Sequence, residues 1–239
     1  IGVDKERKNI SFGALQLSDD FEHWMVKFPN SQDGKDAGAI EYVYALMATE
    51  AGITMPNVHL FSSQKGNGYF AVKRFDREGN KRLHMHTVSG LIHSNFRFPS
   101  LDYEDLLSLT SYLTKDIREV EKMFRLAVFN VMAHNQDDHA KNFTFLMNEF
   151  GEWKLSPAYD LTFSNGPGGE QSTMVMGEGR NITLKHLSKL GSEAQLSKEF
   201  IENVIEQTRS ALNKWEILAK NYGVNDSNIQ LINRKISNF

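Results

Sequence analysis

The chain has 239 residues, roughly one and a half domains at about 150 residues each, so one large domain or two unequal lobes will fit. It contains no cysteine, which excludes a disulfide scaffold, a thiolate zinc site and a thiol nucleophile. Lys plus Arg number 27 against 30 acidic residues, a formal charge of -3, which argues against a chain built mainly to wrap nucleic acid.

In chain order, Ile10–Leu17 and His23–Phe28 read as short strands separated by Ser18, Asp19 and Asp20, the second stopping at Pro29. From Asp36 to Ala51 the period becomes helical, with Ile40, Val43, Tyr44 and Met47 on one face and Gly52 as the stop. Val58–Ser62 and Tyr69–Phe75 form a further strand pair around a Gln64–Gly68 turn. Residues 1–75 thus read as a small β-rich lobe, and 76–239 as a mainly helical lobe. In the second, Asp102–Thr114 is one helix. Asp116 caps another, with Glu119 as its capping-box partner. Ile117, Val120, Phe124, Ala127, Val128 and Val131 form its buried stripe, which ends at His134. Phe143–Met147 and Glu152–Leu155 make a hairpin, Ser164–Gly169 a Gly-rich loop, and Leu184–Leu190, Ser197–Asn221 and Asn225–Ser237 helices. The best apolar run, Leu126–Ala133, is broken by Asn130 and far short of the roughly 18 residues of a membrane span. No signal peptide is visible, so a soluble, cytoplasmic protein is expected; Ile1 in place of Met suggests a processed or truncated start.

The chemistry concentrates in His134-Asn135-Gln136-Asp137-Asp138-His139-Ala140-Lys141-Asn142 and in Ser156-Pro157-Ala158-Tyr159-Asp160-Leu161-Thr162. This region lies between a buried helix and a hairpin, which fix its backbone at both ends. Crowded carboxylates at Asp137, Asp138 and Asp160 repel unless cations balance them, and carboxylates with an amide oxygen are the hard ligands magnesium takes. From Asp137 to Asn142 the spacing is D-x-x-x-x-N, that of a kinase catalytic loop, where the Asp takes the substrate hydroxyl proton and the Asn holds magnesium. Asp160 stands where the Asp of D-F-G would, as the second metal ligand. Asp138 is one residue out of register, which favours Asp137 as base. Most Asp and Asn residues in turns merely cap and decorate. Lys27 lies in an apolar strand where a kinase needs an ammonium for the α- and β-phosphates, although a lone strand lysine more often snorkels to solvent. Glu41 is either its partner or an exposed helix carboxylate. Trp24 and Trp153 read as core residues and Trp215 as helix packing.

Six segments carry a further signal: Phe21-Glu22-His23-Trp24-Met25-Val26-Lys27-Phe28, Val72-Lys73-Arg74-Phe75-Asp76-Arg77, His84-Met85-His86-Thr87, Asp137-Asp138-His139-Ala140-Lys141-Asn142-Phe143, Pro157-Ala158-Tyr159-Asp160-Leu161-Thr162 and Gly166-Pro167-Gly168-Gly169-Glu170. Over nearly its whole length the chain resembles the HipA-like serine/threonine kinases of bacterial toxin-antitoxin modules, most specifically in the D-x-H-x-K-N-F and Y-D-L pair. The resemblance implies an α+β, two-lobed protein-kinase-like fold and ATP- and Mg2+-dependent phosphoryl transfer to a protein Ser or Thr. It implies Asp137 as catalytic base, Asn142 and Asp160 as magnesium ligands and Lys27 on the ATP phosphates. Lys73 and Phe75 match hinge positions whose backbone holds adenine, His139 a histidine beside the nucleotide, and Lys141 a cation near the γ-phosphate. Implied partners are a HipB-like antitoxin, through which any DNA contact is indirect, and a translation component such as an aminoacyl-tRNA synthetase as substrate; no membrane is involved.

The resemblance also leads one to expect a Gly-rich segment and an N-terminal subdomain before Gly2-Val3, and neither stands within these residues. Two other readings compete. One is a metal-dependent phosphohydrolase with His134, Asp137, Asp138 and His139 as ligands. The other is a catalytically silent nucleotide-binding regulatory module.

Overall fold

The computed structural model describes residues 1–13, 16–29, 34–64, 66–93 and 101–239. The chain opens with β1 (Gly2–Asp4), β2 (Ile10–Ser11) and β3 (Phe21–Val26), crosses helix α1 (Ala37–Glu50), and returns through β4 (Val58–Phe61) and β5 (Tyr69–Lys73). These strands form one antiparallel sheet in the order β2-β1-β3-β5-β4. The sequence pattern does not expose β1, which is three residues long, and only Ile10–Ser11 of the expected Ile10–Leu17 strand is extended; Ala14 and Leu15 lie outside the described residues, as does Lys65 of the expected turn. Strand alternation puts Met25 on the face toward α1 and Glu22 and Trp24 on the other. The pairing continues past β3, because the Lys27 N–H donates to the Phe70 carbonyl at 2.9 Å. Lys27 therefore follows Met25 onto the inner face.

Helix α1 buries Ala39, Val43, Tyr44, Ala45, Met47 and Ala48, contacts on both sides that suit a helix lying between the sheet and the helical lobe. Gly52 ends it at φ 78°, a conformation that glycine adopts without a Cβ penalty. The fully buried Tyr44 hydroxyl donates to the Ala133 carbonyl at 2.8 Å and so fixes α1 to the end of the central helix of the other lobe.

A small hairpin, β6 (Arg77–Glu78) and β7 (Lys81–Arg82), leads to β8 (His84–Thr87), the short helix α2 (Val88–Leu91) and β9 (Leu101–Asp102). Then come α3 (Tyr103–Thr114), α4 (Ile117–Met132), the hairpin β10 (Thr144–Met147) and β11 (Trp153–Leu155), β12 (Thr173–Met174), and helices α5 (Leu184–Glu193), α6 (Lys198–Leu212), α7 (Trp215–Asn221) and α8 (Asp226–Ile236). The expected Ser197–Asn221 helix is two, broken at Asn213 and Lys214. The break lets Trp215 turn fully into the core, where its indole N–H donates to the Ile229 carbonyl at 3.1 Å.

Helix α4 is amphipathic as its stripe predicts, except that Ile117 is exposed. Asp116 accepts the Arg118 N–H as an N-cap, but the expected capping box does not form. Glu119 is buried and accepts the Leu155 N–H at 2.9 Å, so it secures the hairpin instead. No helix among the described residues is long and apolar enough to cross a membrane.

Candidate active site

Three pieces of chain set up the site, each placed by a local device, and of these the sheet and the Tyr159-Asp160-Leu161 segment line the cavity while the loop after α4 joins them through Tyr159. The first is the inner face of the sheet, which carries Lys27. The second is the loop after α4. His134 takes the left-handed conformation (φ 55°) just past the helix end, as residues beyond a C-cap often do, and turns the chain into residues 135–142. The third is the segment after the β10–β11 hairpin, whose register, Phe145 opposite Leu155, returns the chain so that Tyr159 and Asp160 lie beside that loop. The Tyr159 hydroxyl donates to the Lys141 carbonyl at 2.6 Å and meets the Thr144 hydroxyl at 2.5 Å. Its burial raises its pKa to about 12, so it is a donor at all physiological pH values. The Ala158 N–H donates to the Thr54 carbonyl at 2.9 Å, holding this segment against the chain that follows α1.

The Lys27 ammonium donates to Glu41 Oε1 at 2.6 Å and also to the Asp160 carboxylate. Glu41 is thus the partner of Lys27 rather than an exposed helix carboxylate. Burial draws the Lys27 pKa down, but Glu41 and Asp160 outweigh it and leave the pKa raised, so the ammonium stays charged. Burial drives Glu41 up to about 7 in spite of the lysine. Asp160 adopts φ 59°, an unusual conformation for a residue other than glycine and of a kind that clusters at functional sites. A cavity of about 180 Å³ opens here, with Lys27, Glu41 and Asp160 on one wall and Met25, Ala45, Met55, Phe70, Val72 and Leu161 forming an apolar lining. An apolar slot with a few convergent charges suits a flat heterocycle joined to an anionic chain.

The remaining sequence candidates fall into two groups. Asp137 is exposed, the half-buried His139 has its Nε2 3.9 Å from Asp137 Oδ1, and the Asn142 amide nitrogen donates to the Asp137 carbonyl at 2.9 Å. That last bond leaves the Asn142 oxygen as its donor atom for a cation. Lys73 behaves differently. Its pairing with Trp24 sets it on the outer face of the sheet, where its ammonium meets Glu22 at 2.6 Å, and its N–H is taken by the Asn57 carbonyl. Phe75 is half-buried with its ring 5.5 Å from that of Tyr159, which links the crossing between lobes to the Asp160 segment.

The phosphohydrolase ligand set does not assemble. Asp138 is fully buried and bonded to Tyr103, while His134 stacks on Phe163 at 5.4 Å and meets Asn165 at 3.3 Å. Among the described residues no three His, Cys, Asp or Glu side chains gather into a metal cage. Magnesium at a phosphate site needs none, since it binds one or two side-chain oxygens and completes its shell with phosphate and water. The Asp160 carboxylate and the Asn142 oxygen fit that demand. The hydrogen bonds of Tyr159 to the loop and the buried partners of Asp138 escape sequence reasoning; the one visible signal of the latter is Asn130, a polar residue inside an apolar stripe that must find a partner.

A β-rich lobe and a helical lobe closing on such a cleft define a protein-kinase-like fold, α+β in class. The profile of the HipA-like C-terminal domain matches residues 5–215, and the chain belongs to that family. A Sinorhizobium fredii protein named "Putative kinase Y4dM" is 24% identical, the match covering 83% of this chain and 53% of the relative. A second from the same organism, named "Putative kinase Y4mE", is 28% identical over 39% of this chain and 24% of its own length. The chain thus spans about half the length of the first relative and less of the second. Among solved structures, HipA of Shewanella oneidensis MR-1, determined with HipB and operator DNA, superposes with a TM-score of 0.67 at 15% identity, covering 95% of this chain and 63% of the other. The Helicobacter pylori proinflammatory kinase CtkA superposes with a TM-score of 0.58 at 14% identity, covering 90% and 88%. At these identities the structures establish the fold.

Proposed function

We propose that the chain transfers the γ-phosphoryl group of ATP, with Mg2+, to a Ser or Thr hydroxyl of a protein. The observation that carries this reading is the Lys27–Asp160 contact, in which an ammonium from the sheet meets the aspartate of Tyr159-Asp160-Leu161 in one apolar-walled cleft. Bound ATP and magnesium would supply the transferable group and the charge that offsets it. The chain's own part is positioning and charge. Lys27 holds phosphate oxygens, Asn142 and Asp160 offer metal-binding oxygens, and the exposed Asp137 accepts the hydroxyl proton. His139 lies beside the nucleotide, and the backbone at Lys73 and Phe75 borders the adenine. In this reading residues 1–75 are the nucleotide-binding lobe and 76–239 the catalytic lobe. The likeness to a HipA solved with HipB and operator DNA supports a HipB-like antitoxin as partner, with DNA reached only through it. A translation component such as an aminoacyl-tRNA synthetase is the proposed target class.

The test is incubation with labelled ATP and dephosphorylated casein, with magnesium or with EDTA, for the parent and Asp137→Asn. Magnesium-dependent label on casein Ser or Thr that Asp137→Asn abolishes is the expected result. Nucleotide binding with no transfer under any condition would favour the silent regulatory module.

A further inference from the structure

Beneath the catalytic loop runs a line of polar side chains nearly cut off from solvent. Asn135 Nδ2 donates to Asn130 Oδ1 at 2.9 Å, and Asn130 Nδ2 donates to the Tyr103 hydroxyl at 2.9 Å. The Tyr103 hydroxyl donates to Asp138 Oδ2. The other Asp138 oxygen accepts the Thr173 N–H at 3.0 Å, and the Asp138 carbonyl accepts the Thr173 hydroxyl. Tyr103, Asp138 and Thr173 are each 0% exposed, and Asn130 and Asn135 each 2%.

Such a line is costly. Burial pushes the Asp138 pKa up to about 7 against the pull of hydrogen bonds from Tyr103, Gln171 and the Thr173 N–H. A purely apolar interior would be cheaper, so the position of these groups is informative. The line ties Asn135, two residues before Asp137, to α4. It ties Asp138, the residue after, to α3 and β12. Asp137 itself is left with its side chain in solvent and its carbonyl bonded by Asn142. The backbone on both sides of Asp137 is therefore clamped, while its carboxylate stays exposed beside His139.

We propose that Asp138, Tyr103, Asn130 and Thr173 are positioning residues for phosphoryl transfer, forming a buried strut that sets the backbone at Asp137 and hence the aim of its carboxylate. This rests on reading Asp137 as the base. It gives Asp138 a task distinct from proton or metal chemistry, and it explains an asparagine within the apolar face of α4.

The test uses the full chain and three variants. Tyr103→Phe removes one hydroxyl and keeps the ring that packs edge-on against Phe143. Thr173→Val removes the second hydroxyl, and Thr173→Ser retains it. Hydrogen exchange is followed by mass spectrometry, binding with a fluorescent ATP analogue, and transfer with labelled ATP and casein. In Tyr103→Phe and Thr173→Val, exchange across 135–142 should rise about tenfold or more while α6–α8 keep their protection. Transfer kcat should fall about tenfold or more, because small misplacements of a reacting group are expensive. Nucleotide stoichiometry and affinity should stay within about twofold, and Thr173→Ser should behave as the parent.

Unchanged exchange at 135–142 would overturn the strut. So would a rise spread evenly through α6–α8, which would mean general loosening, or a loosened loop with parental transfer. Asp137→Asn is run in parallel: if it transfers phosphate at the parental rate, the base reading fails, while loop exchange decides the strut on its own.

Discussion

The Lys27 ammonium bonds the Asp160 carboxylate across the cleft, so the cation of the small lobe and the aspartate of the helical lobe hold each other. Glu41 is bonded to the same ammonium at 2.6 Å. Removing the cation with Lys27→Met would leave two carboxylates facing one cavity. We expect affinity for a fluorescent ATP analogue to fall about tenfold or more. Lys27→Arg should rescue little, because a planar guanidinium does not replace a compact ammonium between two carboxylates.

Asp137→Asn should keep the loop, because Asn142 bonds the Asp137 carbonyl rather than its side chain. Nucleotide affinity should stay near that of the parent, while phosphoryl transfer falls by a factor of about 100 to 10,000, the usual span for loss of a general base. Transfer at the parental rate would remove Asp137 from the mechanism.

Asp160→Asn should separate binding from its metal dependence. For the parent, titration of the ATP analogue should give tighter binding with magnesium than with EDTA. In the variant the two affinities should converge, because a neutral amide is a poorer ligand for a hard cation and a poorer partner for Lys27.

Glu41 gives a pH signature. Its folded pKa of about 7 lies above the ordinary 4.5, so the folded state binds the proton more tightly than the unfolded chain. Stability from this group is therefore greatest at low pH and declines as pH rises from about 4.5 through about 7, by roughly 3 kcal/mol at most. The raised Lys27 pKa acts in the same sense, but its stabilisation is full below 10.5 and lost only as pH climbs past the raised value, outside this window. In thermal melts, the Tm of Glu41→Gln should gain on the parent between pH 5 and 8 by several degrees. Parallel Tm curves would show that Glu41 is not the group responsible.

Asp36 ties the start of α1 to the C-terminal helix. It is 4% exposed and accepts hydrogen bonds from Asn67 at 2.6 Å, the Asn225 N–H at 2.9 Å, the Asn225 side chain and Asn228 at 3.1 Å. Asp36→Ala should cost roughly 2–4 kcal/mol, since the asparagine donors lose a charged acceptor out of water. A Tm lower by roughly 5–10 °C is expected; an unchanged Tm would show that the tie does not contribute to stability.

Local patterns made much of the architecture readable in advance. The helical period of α1 with Gly52 behind it, the stripe of α4 and the polar turn of the β10–β11 hairpin each follow from burying one face of a single element. The failures have a common cause. Strand β1 is too short to show a period, and Glu119 gave up its capping box for a backbone N–H far along the chain. The Ser197–Asn221 helix breaks because Trp215 must reach a core that sequence spacing does not show.

What the sequence by itself determined was the inventory: which residues could accept a proton, offer oxygen to a cation or carry an ammonium, and that they stand on a sheet strand, on a helix-ending loop and after a hairpin. Only the tertiary structure decided their relations. It set Lys27 on Asp160, turned Lys73 to the outer face of the sheet, and drew Asp138 inward to Tyr103 while its neighbour Asp137 stayed in water. Adjacent residues of the same type parted because hydrogen-bond partners and burial come from distant segments, and no local pattern records which of two carboxylates those segments will enclose.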